Sequence, residues 1–352
     1  MPDWSKSMTQ TYEYYVVDPN TWTDSELISN VKSCSISRDS DTDTLGSASF
    51  EVNDMLGECY IRVYLITLQN GIKEKYPLGT YLVQTPSSTY DGKVRSVSID
   101  AYTPLIELKE TKPPLGYSLL KGAKIMESAY LNIREQARAP VVRTDTDDVL
   151  YGDFVADTDE TWLSFDSDLI SNAKYTLDLD EMGRILFAPK QDIGSLQPIW
   201  TYTDDNSSIL YPEMSMTHDL YGIPNVVEVA YSSGNDRYYS RVVNDDENSL
   251  TSTIARGREI LYRETNPSFV GSPTQKQVDD YAENLLSELS SLEYTVSYSH
   301  GYCPVRLGDC VRLNYTRAGL RDVKAKVISQ TIKCESGCSV TEKAVFTKKL
   351  WR

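Results

Sequence analysis

Between residues 31 and 54 the chain reads VKSCSISRDSDTDTLGSASFEVND, and its apolar residues return at every second position. Cys34 and Ile36 precede a run of aspartates, Ala48, Phe50 and Val52 follow it, and serines and Glu51 take the places between. A period of two sends successive side chains to opposite faces, so these flanks are half-buried strands. The centre, Asp39-Ser40-Asp41-Thr42-Asp43, invites a calcium reading. A helix-loop-helix site starting at Asp39 needs Gly at its sixth place and Glu at its twelfth, where Thr44 and Phe50 stand. The stretch is therefore a hairpin tip, where short polar side chains bond the local backbone. Residues 178–183 read the same way, with Gly183 supplying the positive φ of a second hairpin.

Strand signals fill residues 12–101. Ile61, Val63 and Leu65 alternate with Arg62 and Tyr64, Asn70-Gly71 offers a two-residue hairpin turn, and Val97, Ile99 and Ala101 share one face beyond Asp91-Gly92. A Pro- and Gly-rich connector follows, KETKPPLGYSLLKGA. The stripe Ile125, Met126, Ala129, Tyr130, Ile133 and Ala137 then predicts a helix that Pro140 ends. A second helix is expected at about 161–173, behind the cap candidates Asp157-Thr158-Asp159. From about Ile223 strands resume, with a turn at Ser233-Gly234-Asn235-Asp236. Thr274 caps a helix striped by Val278, Tyr281, Ala282, Leu285, Leu286 and Leu289, and four strand candidates follow it. The fold class expected is mainly β with an α+β insert. Two tube-like β-barrel or sandwich domains, 1–115 and 206–352, the latter with its helix at 274–290, flank a small α+β domain at 116–205.

A length of 352 residues with 40% hydrophobic content suffices for a proper core. The opening MPDWSKSMTQ has no basic patch followed by an apolar stretch, and no run approaches a membrane span, so a soluble chain made in a cytoplasm is expected. A formal charge of -16, without a basic stripe, repels a phosphate backbone and argues against nucleic-acid binding. Tyr outnumbers Phe by 25 to 6, which suits strand surfaces and protein contacts.

Chemistry is sparse. His218 and His300 are the two histidines, and neither lies beside a legible nucleophile or second metal ligand; each reads as a surface or satisfied polar residue. There is no nucleophile elbow, Walker loop or dinucleotide fingerprint. Most aspartates fall in turns, so no catalytic residue, cofactor or metal is assigned and no enzyme is expected. The six cysteines are read as thiols. A zinc or iron-sulfur site at Cys303, Cys310, Cys334 and Cys338 is the alternative, although their spacing matches neither usual ribbon pattern.

Three stretches carry a resemblance. SCSISRDSDTDTLGSASFEV, with the later PLGTYLVQT and VRSVSIDAYTPLIEL, resembles the first β-domain of tailed-phage baseplate hub or tail-tip (Tal-type) proteins. DETWLSFDSDLISNAKYTLDLDEMGRILFAP is similar to the domain inserted in that family, and CPVRLGDCVRLNY through AKVISQTIKC, with its turn at Gly308-Asp309, to the second β-domain. The resemblance implies a structural virion protein of the tail baseplate, assembled in the host cytoplasm. It implies a homotrimeric ring, pseudo-six-fold because each chain gives two similar β-domains, around the channel for tape-measure protein and DNA. Its neighbours would be the tail tube or distal-tail ring on one side and a tip spike or fibre on the other. The rival readings are a receptor- or carbohydrate-binding tail protein and a tail-associated cell-wall hydrolase.

Overall fold

The computed structural model describes residues 2–351, apart from 55, 91, 93, 94, 234, 235, 268 and 270–272. Its elements begin with β1 (Thr9–Asp18), β2 (Thr23–Leu27), β3 (Val31–Asp39), β4 (Gly46–Val52), β5 (Tyr60–Gln69), β6 (Ile72–Tyr90) and β7 (Arg95–Tyr102). Next come α1 (Ile106–Glu110), β8 (Ser118–Leu119), α2 (Ile125–Gln136), β9 (Phe154–Val155), α3 (Trp162–Ser171), β10 (Tyr175–Leu179) and β11 (Ile185–Pro189). Then follow β12 (Trp200–Thr203), β13 (Leu210–His218), β14 (Val226–Ser233), β15 (Asp236–Val243), α4 (Thr253–Arg256), β16 (Leu261–Thr265) and α5 (Gln275–Leu289). The chain ends on β17 (Ser291–Gly301), β18 (Cys310–Asn314), β19 (Val323–Lys333) and β20 (Ser339–Lys349). Residues 1–214 with 298–344 form one compact unit and 215–297 with 345–352 another; the chain passes between them within β13, β17 and β20.

The strands of the main sheet pair in the order β13-β17-β20-β19-β3-β4-β7-β6-β5-β1-β2, with β18 beside β19 and β12 beside β18. β3 is thus the meeting place of the first strands and the last, through Ile36↔Ile332 and Ser35↔Lys333. The chain is mainly β with few helices, as expected, and the path has two ends among the described residues, where no closed sheet is found. Its last strand, β2, is short and exposed along its whole length. No helix of the described residues is long and apolar enough to cross a membrane.

Turn chemistry falls where the residues require it. β3 and β4 pair around the aspartate run, where the Asp39 carboxylate accepts from the Asp41 amide at 2.9 Å. Asn70 and Gly71 both take positive φ between β5 and β6, and the buried face of β7 is Val97, Ile99 and Ala101. Gly234 and Asn235, like Asp91, lie outside the described residues, while β14 and β15 pair up to Ser233↔Asp236. α3 departs from expectation at its start. Thr161 is itself the cap, in a reciprocal box with Ser164, and the three candidates lie upstream of it.

β5 carries the larger correction. Alternation makes it half-wet, yet its first eight residues are all buried, Arg62 among them. Asp24 from β2 and the tip of the β10–β11 hairpin roof the face that carries Arg62. The core of this unit continues from Val17, Tyr60, Leu82, Leu105 and Leu108 into the stripes of α2 and α3 and the hairpin residues Leu177, Ile185 and Phe187. The smaller unit holds the sheet β15-β14-β16, with Val227 and Val229 packed against Val278, Ala282 and Leu286 of α5 and against Trp351. α5 is capped by Thr274 and Gln277 in a capping box.

Candidate functional site

The polar residues of the larger unit gather in one seam. It starts at the tip of the β10–β11 hairpin. The Met182 carbonyl accepts from Trp22 Nε1 at 2.7 Å and from Arg62 Nη2 at 3.0 Å. Arg62, 1% exposed, also meets Asp24 at 2.7 Å and Thr80 at 2.9 Å. Asp24 accepts from Tyr64 as well, at 2.8 Å; burial and that carboxylate push the phenol up to about 12. Gly183 turns the hairpin at φ +76, and a Cβ there would sit 2.7 Å from the Thr80 Cβ. On the other flank Arg306 donates to the Leu179 carbonyl at 2.6 Å and pairs with Glu181 at 2.8 Å. The hairpin is therefore gripped by residues from the beginning and the end of the chain.

Arg38 carries the seam inward, donating to the Leu78 carbonyl at 2.6 Å and to Gln330 at 3.0 Å. Gln330 donates in turn to Glu342 at 2.7 Å and to the Val305 carbonyl at 3.1 Å. Glu342 is fully buried and takes further bonds from Tyr298 and, at 3.4 Å, from Tyr202. His300 Nε2 stands 3.4 Å from the Glu342 carboxylate and 3.1 Å from the Tyr202 hydroxyl, and its Nδ1 bonds the Gly301 carbonyl at 2.7 Å. Burial works against a charged imidazole, but the bonds to Cys303 and Glu342 outweigh it and raise His300 to about 10. The Tyr202 and Tyr298 phenols are driven far upward, first by burial and then by Glu342. The result is a buried imidazolium–carboxylate pair with its hydrogen bonds made, tying β12, β17, β19 and β20 to one another.

The sequence reading of His300 is corrected in one respect. It is satisfied and buried, but Cys303 and Glu342 lie beside it, partners that only the folding of β20 against β17 supplies. The signal was present in the alternation of β17, which turns Tyr298 and His300 inward together. His218 is exposed, its ring tilted at 41° to that of Tyr294 with centroids 5.0 Å apart. Of the four C-terminal cysteines, Cys303 is in the seam and Cys310 bonds the Val311 carbonyl, while the Cys334 amide bonds the Cys34 carbonyl and the Cys338 amide the Glu335 carbonyl. Among the described residues no three His, Cys, Asp or Glu side chains gather as a metal would require.

The fold so built is that of bacteriophage tail proteins over nearly the whole chain. It is similar to the tail protein from Neisseria meningitidis MC58, with a TM-score of 0.63 at 13% identity over 97% of this chain and 98% of that one. The 43 kDa tail protein of prophage MuSo2 from Shewanella oneidensis aligns with a TM-score of 0.61 at 10% identity, over 95% of this chain and 98% of that one. The prophage tail protein gp18 from Listeria monocytogenes EGD-e gives 0.50 at 12% identity, over 96% and 95%. No family model matches the sequence, and no curated protein matches it.

Proposed function

We propose that the chain is a structural subunit of a phage tail baseplate, a hub that joins the tail tube to the tip spike or fibre. The observation that carries this is end-to-end correspondence with tail proteins, 97% of this chain against 98% of the Neisseria protein, with no large remainder on either side. In this reading three copies close a ring, and each contributes two related β-blocks, 1–115 and 206–352, around the insert 116–205. Six similar blocks then meet a six-fold tube, since closed symmetry asks for equivalent patches. The net charge of -16 suits a bore that passes the tape-measure protein and DNA without gripping phosphates. On the insert Leu120, Tyr151 and Val155 are exposed, apolar surface of the kind an assembling subunit covers with a neighbour.

The seam supports a structural role, since its carboxylate and imidazole are engaged with one another and closed to substrate. No catalysis, cofactor or metal enters the proposal. Particles labelled with an antibody against this chain test it: label belongs at the distal end of the tail, and label on the head, or wall clearing by the purified protein in a zymogram, would overturn it.

A further inference from the structure

Cys34 and Cys334 lie opposite each other across the strands that join the start of the chain to its end. The β3–β19 ladder runs through Ile36↔Ile332 and Ser35↔Lys333, and one more step pairs Cys34 with Cys334. Just past the end of that ladder the Cys334 amide donates to the Cys34 carbonyl at 2.9 Å, one of the two bonds such a pair exchanges. Directly opposed residues of a hydrogen-bonded antiparallel pair stand about 5.5 Å apart at Cα, inside the span a disulfide bridges. Side chains of directly opposed residues leave the sheet on the same face, so the two thiols are neighbours. Both are free and nearly buried, and both line a groove whose other walls include Ser35, Ser49, Ser98 and Lys333.

We propose that Cys34 and Cys334 form a reversible disulfide, a redox staple between the two ends of the chain. The oxidant is a small disulfide of the glutathione class that reaches the pair through the groove. One cysteine thiolate attacks it, forming a mixed disulfide and releasing one glutathione thiol. The second cysteine then attacks the protein sulfur and releases the other. Two S–H bonds and one S–S bond break, one S–S bond forms in the protein, and two protons and two electrons leave with the two glutathione thiols. The Cys334 thiol is raised well above its ordinary range, first by Cys34 beside it and then by burial, so the reaction quickens with rising pH. Cys303 and Cys310 are engaged at other stations and take no part. The closed loop spans roughly 300 residues, which removes much freedom from the unfolded chain. Formation after release from a reducing host rests on the virion reading above; the bond itself does not.

The purified chain, reduced and then freed of reductant, is incubated with oxidised glutathione at mildly alkaline pH, alkylated, digested and mapped by mass spectrometry. The expected result is one cross-linked peptide pair holding Cys34 and Cys334, four alkylated cysteines, and a Tm raised by roughly 5 °C that dithiothreitol reverses. Cys34→Ser removes both the cross-link and the shift, whereas Cys310→Ser leaves them. Six alkylated cysteines, a lasting glutathione adduct, or a bond from Cys334 to Cys338 would each overturn the proposal. None of these outcomes depends on what the protein assembles into.

Discussion

His300 and Asp166 are buried groups whose titration drives stability in the same direction. Asp166, on α3, accepts from Asn132 at 2.9 Å, and its second oxygen has no hydrogen-bond partner among the described residues. Burial pushes its carboxyl up to about 8 against the lowering bond from Asn132. The native state thus holds a proton that the unfolded chain has lost above its value of 3.8, and stability falls as pH rises from there towards 8. His300 is raised instead to about 10 from 6.5, so its contribution is complete below 6.5 and lost as pH climbs to 10. The urea midpoint should therefore fall steadily from about pH 5 to about pH 10, with Asp166→Asn flattening the lower part of the curve and His300→Gln the upper. An Asp166→Asn profile that keeps the full slope below pH 8 would contradict this account of Asp166. At this scale the sequence was a poor guide. His300 and Arg62 look like ordinary polar residues of strands, and their partners Glu342 and Met182 come from far along the chain.

Among the elements, the β10–β11 hairpin has the sharpest requirement. Its turn needs φ +76 at Gly183, and the turn lies against Thr80 and Trp22 with no room for a methyl. Gly183→Ala should cost about 1–3 kcal/mol, from the left-handed backbone and the contact together. Hydrogen exchange should show residues 175–189 opening faster while the α5 amides stay protected; unchanged protection in the hairpin would argue against the grip. Elements whose signals are local were legible. The stripes of α2 and α5, the Thr274 cap, the Asn70-Gly71 turn and the four final strands all stand where the sequence puts them. α1 also forms, from the stretch after Tyr102 that gives only a faint helical pattern. β2, β12 and β16 carry little alternation of their own; each is a strand because a neighbour fixes it, β1 for β2, β18 for β12 and β14 for β16. Pairings of that kind are tertiary facts that local periodicity does not contain.

Over the whole molecule, pattern and turn chemistry yielded the fold class, while sheet order did not follow from them. Nothing in the alternation of β3 says that its partner on one side is β19, near the opposite end of the chain. That pairing, the gripped hairpin and the sealed imidazolium–carboxylate pair tie together segments of the larger unit that lie far apart in sequence. The central claim is that copies of the chain close into a ring. Light-scattering mass and negative-stain images of the purified chain test it most directly. The account predicts three times the chain mass and a closed ring with a central hole and six similar lobes. A monomer, or a compact rod without a hole, at concentrations well above those needed for assembly would contradict it.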